Sequence, residues 1–110
     1  MGTNTSQLIQ ELQSLEQQMS ELLMQRQTLE VELNETNTAL GEIKNSKEVY
    51  KISGSVMIKS DAQTLNAELE EKKKIISLRI SSIAKQEKPV EDRIVNLQKQ
   101  INDEVTKNKK

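Results

Sequence analysis

The chain has 110 residues, enough for one domain, and its composition excludes several kinds of chemistry. It contains no Cys, His, Phe or Trp, and Tyr50 is the single aromatic residue. Zinc sites, thiol nucleophiles, Ser-His-Asp triads and disulfides all need residue types that are missing. The 16 basic and 17 acidic residues leave a net charge of -1, which provides no long-range attraction for nucleic acid or for a membrane surface.

Apolar content indicates a folded chain. Leu, Ile and Val make up 28 of the 110 residues, about a quarter, above the roughly 20% below which a chain is expected to stay disordered. No stretch approaches the roughly 18 apolar residues that span a bilayer, and no signal segment is recognisable, so we expect a cytoplasmic protein. The three glycines are too scattered for a phosphate-binding loop. We expect neither a cofactor nor enzyme activity.

A long repeat of apolar residues begins at Leu8. The repeat advances by alternating steps of four and three, and nine of its eleven positions are apolar. Such a repeat predicts a left-handed coiled coil, because 3.5 residues per turn keep one stripe facing the partner helix. We predict a helix over about residues 6–45, capped by Asn4 or Thr5 and weakened by Gly41. This first seam contains Leu8, Leu12, Leu15, Met19, Leu22, Arg26, Leu29, Leu33, Thr36, Leu40 and Ile43.

The pattern changes to a period of two after the first helix. Two runs of β-branched and aromatic character flank a glycine, which predicts a β-hairpin over about residues 48–59. A two-stranded hairpin alone is marginal in water, and its edges carry unpaired backbone groups. We therefore expect it to pair with hairpins of other subunits, the alternative being a loop that only reverses the chain. The residues of this assembly site are Val49, Tyr50, Ile52, Gly54, Val56 and Ile58.

A second helix is predicted over about residues 61–106. Ser60 and Gln63 fit a capping box at its start. Pro89 lies inside the helix, where we expect a kink rather than a break because the repeat continues in phase beyond it. Two helices of similar length joined by a short connection predict a mainly α fold, a long antiparallel two-helix coiled coil with one β-hairpin between the helices. The second seam contains Leu65, Leu69, Lys73, Ile76, Ile80, Ile83, Glu87, Val90, Ile94, Leu97 and Ile101.

Both seams contain a charged residue. Arg26 interrupts the first and Glu87 the second, at comparable heights in an antiparallel pair. We predict that the two lie within a layer or two of each other and disfavour slipped registers. The alternative is that Arg26 lays its stem along the seam and extends its head into water.

Three groups of residues carry a family resemblance that covers nearly the whole chain. They are Asn34, Glu35, Thr36, Ala39 and Leu40, then Glu48, Val49, Tyr50, Lys51, Gly54, Val56 and Ile58, and finally Gln86 and Glu87. Together with the order helix, hairpin, helix, they resemble a subunit of the prefoldin family. About 14 residues separate the two helices, too few for the two hairpins of the alpha class, so the chain looks like the beta class.

The resemblance implies a set of partners. Prefoldins are hexamers of two alpha and four beta subunits, or of six distinct chains, whose hairpins form a double β-barrel. They hold non-native proteins without ATP and pass them to a group II chaperonin. We therefore expect an alpha-class subunit, further beta-class copies, unfolded clients and a chaperonin as partners, with no role for nucleic acid or membrane.

The free ends of the two helices are the candidate client site. An antiparallel pair brings the start of the first helix beside the end of the second, where fraying turns leave apolar area available. Ile9 and Val105 lie beside the seam rather than in it. The alternative is that these residues are only the last layers of the coiled coil. The candidate client-binding residues are Leu8, Ile9, Leu12, Leu15, Leu97, Ile101 and Val105.

A second hypothesis for the whole chain is a structural or adaptor coiled coil. Such a protein would bind one folded partner through its seam or flank, form a dimer or tetramer, and assemble without its hairpin. Broad binding of unfolded proteins would distinguish the chaperone hypothesis from this one.

Overall fold

The computed structural model describes residues 2–44, 49–53, 56–60 and 62–107, and describes side chains within residues 4–44 and 62–107. The elements follow in the order α1 (Gly2–Lys44), β1 (Val49–Ser53), β2 (Val56–Ser60) and α2 (Ala62–Lys107). The two long predicted helices are confirmed.

The two strands pair antiparallel. Ser53 lies opposite Val56 at one end of the ladder, and Val49 lies opposite Ser60 at the other. Gly54 and Ser55, and all side chains of the two strands, lie outside the described residues. The assignment of Val49, Tyr50, Ile52, Gly54, Val56 and Ile58 to an assembly site therefore stays a prediction.

The start of α1 differs from the prediction. The helix begins at Gly2, about four residues earlier than expected, so Asn4 and Thr5 lie inside it and do not cap it. Thr5 is three residues before Leu8 and is half-buried. The seam thus extends one position further towards the N-terminus, where partial burial of Thr5 favours continued helix over a cap.

Helix α2 runs without a break from Ala62 to Lys107, through Pro89. Ser60, predicted to cap it, is the last residue of β2, and Asp61 lies outside the described residues. Pro89 is exposed whereas Val90 beside it is only 8% exposed. Burial of Val90 in the seam therefore offsets part of the stability that is lost with the hydrogen bond that proline removes. The predicted kink stays a prediction.

Every predicted seam position is buried or half-buried. The chain divides into two compact units, unit 1 (residues 1–26 and 82–110) and unit 2 (residues 27–81). The core of unit 1 contains Leu22, Ile83, Val90 and Leu97, and that of unit 2 contains Leu40, Ile76 and the buried Thr36.

At Thr36 a polar side chain occupies a core position. Its hydroxyl donates a hydrogen bond of 2.8 Å to the backbone carbonyl of Glu32, so the buried oxygen has a partner within its own helix.

Over the described residues, neither helix contains a stretch that is long and apolar enough to cross a membrane.

Candidate functional site

Two cross-helix ion pairs define how α1 and α2 pair in unit 1. Glu11 contacts Arg93 and Arg26 contacts Glu87. Arg26 comes later in α1 than Glu11, whereas its partner Glu87 comes earlier in α2 than Arg93. The two helices therefore run antiparallel. The start of α1 therefore lies beside the end of α2, as the predicted client site requires.

The contact between Arg26 and Glu87 confirms the predicted charged step. Arg26 Nε donates a hydrogen bond of 2.7 Å to Glu87 Oε1, and the side chains are 29% and 12% exposed. The arginine head therefore contacts the other seam, which rules out the alternative that it only extends into water. A partly buried, charge-assisted bond of this kind is stronger than an exposed ion pair.

The second ion pair lies at the surface. Arg93 donates from Nε to Glu11 Oε1 at 3.0 Å and from Nη2 to Glu11 Oε2 at 3.3 Å. Both side chains are more than 40% exposed, at 42% and 44%. The fork geometry fixes orientation, although solvent screens most of the energy.

The predicted client residues of the seam differ in accessibility. Leu8, Leu12, Leu15 and Ile101 are half-buried, whereas Leu97 is 0% exposed. A side chain with no accessible surface has no area to offer another protein while the helices stay paired. Leu97 is therefore a core residue whose burial stabilises the helix pair by about 1.5–3 kcal/mol.

Two predicted residues beside the seam remain accessible. Ile9 is 39% exposed and Val105 is 43% exposed. The half-buried residue next to Val105 is Glu104, which continues the seam three residues after Ile101. This leaves Val105 on the flank. The same phase places Ile9 one position after the seam residue Leu8, so both accessible residues follow a seam position directly.

Ile9 lies in an uncharged stretch of α1, since the first ten residues of the chain contain no acidic or basic side chain. The end of α2 that lies beside this stretch carries Asp103, Glu104 and Lys107. Apolar contact with Ile9 itself depends on neither the sign of a ligand's charge nor a fixed geometry.

Other apolar side chains are also accessible. Val95 is 59% exposed and belongs to the C-terminal part of α2 in unit 1. The sequence placed it off the seam but gave no reason to add it to the client site, since a single exposed valine is normal. The remaining large accessible apolar residues are Leu23, Met24, Val31, Ile75 and Leu78.

The chain is similar in sequence to known proteins over most of its length. A family model described as "Prefoldin subunit" matches residues 6–108. A prefoldin subunit beta from Sulfurisphaera tokodaii is 34% identical over 99 residues, which cover 87% of this chain and 79% of the relative. A prefoldin subunit beta from Methanothrix thermoacetophila is 36% identical over 94 residues, with 83% and 78% covered.

A solved structure gives the same result. The crystal structure of the prefoldin beta subunit from Thermococcus strain KS-1 matches with a TM-score of 0.85 at 29% identity, and the match covers 91% of this chain and 90% of that one.

Proposed function

This chain belongs to the prefoldin family, as a beta-class chaperone subunit, and we propose from that premise that it captures non-native proteins without ATP at the paired ends of α1 and α2. Assembly takes place through the β1–β2 hairpin, with an alpha-class subunit and further beta-class copies. The complex passes its clients to a group II chaperonin in the cytoplasm.

The observation that carries the client site is the accessibility of Ile9 and Val105 beside the seam. Each residue exposes part of its side chain, at 39% and 43%, while Leu97 is fully buried. A client can therefore contact the flank without opening the helix pair. Leu8, Leu12, Leu15 and Ile101 contribute their remaining accessible area.

Weak contact at one pair of helix ends is sufficient to retain a client if several such pairs bind the same client. Two partly exposed aliphatic residues give little affinity alone, since burial of apolar area contributes only about 25 cal/mol per Å². Several copies held in one assembly present such ends at a high effective concentration, which converts weak contacts into retention. Capture thus depends on assembly, and assembly depends on the hairpin.

The hairpin supports assembly through its backbone. β1 and β2 pair with each other over five residue pairs, and each strand has a second edge that a neighbouring hairpin can use. Pairing edge to edge between subunits satisfies backbone groups that a lone hairpin leaves to water.

The test of the client site is suppression of aggregation of a chemically denatured protein, without nucleotide, by the assembled complex. The variant Ile9→Ser with Val105→Ser should lose most of the suppression because it removes accessible apolar area at the helix ends. A matched control is Leu23→Ser with Met24→Ser, which removes accessible area, 37% and 63% exposed, at the other end of the unit 1 segment of α1.

The control variant should suppress aggregation as the unmodified chain does. Equal loss in both variants would show that exposed apolar area acts without regard to position, and unchanged suppression by the Ile9 and Val105 variant would contradict the client site. Far-ultraviolet circular dichroism of both variants checks that the helices are intact.

The test of the assembly site is sedimentation velocity. Ile52→Pro removes a backbone N–H from β1 and should convert the assembly to single copies that keep their helical signal. An assembly of unchanged size would favour the adaptor hypothesis, in which the hairpin is dispensable.

A further inference from the structure

The two cross-helix ion pairs and the helix ends together set the register of α1 against α2 in unit 1. A register that places Gly2, the first residue of α1, opposite Lys107, the last residue of α2, also pairs seam with seam, since Leu8 then lies opposite Ile101. In this register the two residues of each ion pair are offset by no more than about five residues, roughly 8 Å along the helix axis, which long side chains can span.

Heptad positions distinguish the two long edges of this helix pair. With the seam residues as positions a and d, Glu11 and Arg93 both hold position g. In an antiparallel pair g faces g along one edge and e faces e along the other, so the ion pair between these two residues marks the g edge. Ile9 and Val105 both hold position e and therefore share the opposite edge, which we call the e edge.

Val95 also belongs to the e edge. It holds position b, three residues before Gln98 at position e, and residues three apart are neighbours on one helix face. It is 59% exposed, more than Ile9 at 39% or Val105 at 43%. Its cationic neighbour Lys99 holds position f, on the outer face. Three accessible aliphatic side chains thus lie on one edge near the helix ends.

The e edge carries two charged residues in this stretch, both acidic. The register places Glu16 and Glu91 across the edge from each other, within about one helical turn along the axis. Among the residues that the structure describes, neither forms an ion pair, and Lys88, one turn beyond Glu91, binds Asp92. Leu23 holds position e a full heptad beyond Glu16, outside the stretch. The remaining exposed residues at positions b and e of the stretch are uncharged, namely Ser6, Gln13, Gln98 and Asn102.

The g edge of the same stretch has a different character. All its residues at positions c and g are polar or charged, including the paired Glu11 and Arg93 and, at the end of α2, Asp103 and Lys107. Glu104 is a half-buried residue of the seam between the two edges. An apolar ligand therefore finds accessible aliphatic side chains on the e edge and not on the g edge.

We propose that a client lies along the e edge as an extended segment, with aliphatic side chains against Val105, Ile9 and Val95 and a lysine or arginine beside Glu16 and Glu91. This inference rests on the proposed client site and names the kind of segment it recognises. From Val105 to Glu91 the edge covers about 14 residues of helix, roughly 21 Å, the length of six or seven residues of extended chain. A cation of the client relieves the repulsion between two neighbouring carboxylates.

Peptide binding to the assembled complex tests the inference. The probes are two fluorescent peptides with the same extended aliphatic segment, one ending in lysine and the other in glutamate, and fluorescence anisotropy gives the Kd of each. The lysine peptide should bind about fivefold or more tightly at low ionic strength, and high salt should reduce the difference. Equal binding of the two peptides, or binding of neither, overturns the inference.

A charge variant assigns the lysine preference to residues. Glu16→Gln with Glu91→Gln should bind the two peptides with similar Kd, because the carboxylates are gone while the aliphatic row remains. The matched control is Glu35→Gln with Glu42→Gln, which changes the net charge by the same amount at exposed positions of unit 2 and should keep the preference. A preference that persists in the first variant, or disappears in both, overturns the assignment.

An apolar variant tests the extent of the edge. Val95→Ser should weaken binding of both peptides about threefold or more, because it removes accessible aliphatic area from the row. The matched control is Leu78→Ser, which is 64% exposed and lies in unit 2, and should weaken neither. Unchanged binding by the Val95→Ser variant overturns the inference. Circular dichroism confirms that each variant keeps its helices.

Aggregation suppression separates this inference from the proposed client site. If the Ile9→Ser with Val105→Ser variant loses suppression while the peptides show no lysine preference and no effect of Val95→Ser, the client site stands and the e-edge inference fails. If that variant keeps full suppression, the client site fails and the e-edge inference fails with it.

Discussion

Arg26 of the first seam donates a hydrogen bond of 2.7 Å from Nε to Oε1 of Glu87 in the second seam. Both positions belong to seven-residue repeats whose other members are mostly apolar. Slipping the helices by one heptad would leave both charges against apolar side chains, at a cost of several kcal/mol. The contact therefore stabilises one register over its neighbours.

Removing one partner of this pair should destabilise the fold. Glu87→Leu takes the carboxylate away from Arg26, whose side chain is only 29% exposed, and should lower the free energy of unfolding by about 1–3 kcal/mol. The double variant Arg26→Leu with Glu87→Leu should recover most of that loss, because neither charge remains in the seam. Urea denaturation measures both. Equal stability of the Glu87→Leu variant and the unmodified chain would contradict a structural role for the pair.

Gly41 is a site where stability can be gained. It is exposed in the last turns of α1, and a Cβ atom placed there would have no neighbour within 4 Å. Gly41→Ala should therefore raise the free energy of unfolding by about 0.5–1 kcal/mol, because alanine loses less backbone entropy in a helix. Thermal unfolding followed at a helical wavelength measures the gain, and a lowered midpoint would show that the turn requires glycine.

Thr36 is a polar residue of the first seam whose contribution to stability can be measured. It is 3% exposed, and its hydroxyl donates a hydrogen bond to the backbone carbonyl of Glu32, one turn earlier in the same helix. Thr36→Val keeps the shape and removes a buried hydroxyl, while the carbonyl keeps its helical N–H partner. We expect unfolding free energy to stay level or rise by up to about 1 kcal/mol. A loss above that size would show that the hydroxyl has a further structural role.

Pro89 should lower the free energy of unfolding without changing the fold. It lies inside α2 and deletes one backbone hydrogen bond to the carbonyl of Lys85. Pro89→Ala should raise the free energy of unfolding by about 1–3 kcal/mol, because the bond forms and the ring clash is removed.

Lys88→Ala is the matched control for Pro89. It removes an exposed ion pair of 3.3 Å with Asp92, worth no more than about 0.5 kcal/mol. A gain at position 89 no larger than the change at position 88 would indicate that the surrounding helix already compensates for proline.

The periodicity of the sequence predicted the seams because burial in a coiled coil depends almost entirely on position in the repeat. Leu22, Ile76 and Ile83 are buried as their phase requires. The start of α1 was not predicted, because Asn4 and Thr5 have the chemistry of caps and only the burial of Thr5 shows that the seam extends to it.

The client site stays a prediction, and the structure differs from the sequence analysis in how accessible its residues are. Leu97 and Val105 were both assigned to it from their place near the end of α2, yet one is 0% and the other 43% exposed. Accessibility at the end of a helix pair depends on how the facing helix covers each side chain. A one-dimensional repeat gives the phase of a residue but not the extent of that cover.

Site-specific photo-crosslinking tests the account most directly, because it detects contact with a client at a chosen residue. A photoreactive side chain is placed at Ile9, at Val105 or at Met24, which is 63% exposed away from the helix ends, and the assembled complex is illuminated with a denatured client. The account predicts abundant adducts from positions 9 and 105 and few from position 24. Adducts that form at position 24 but not at 9 or 105 would contradict it.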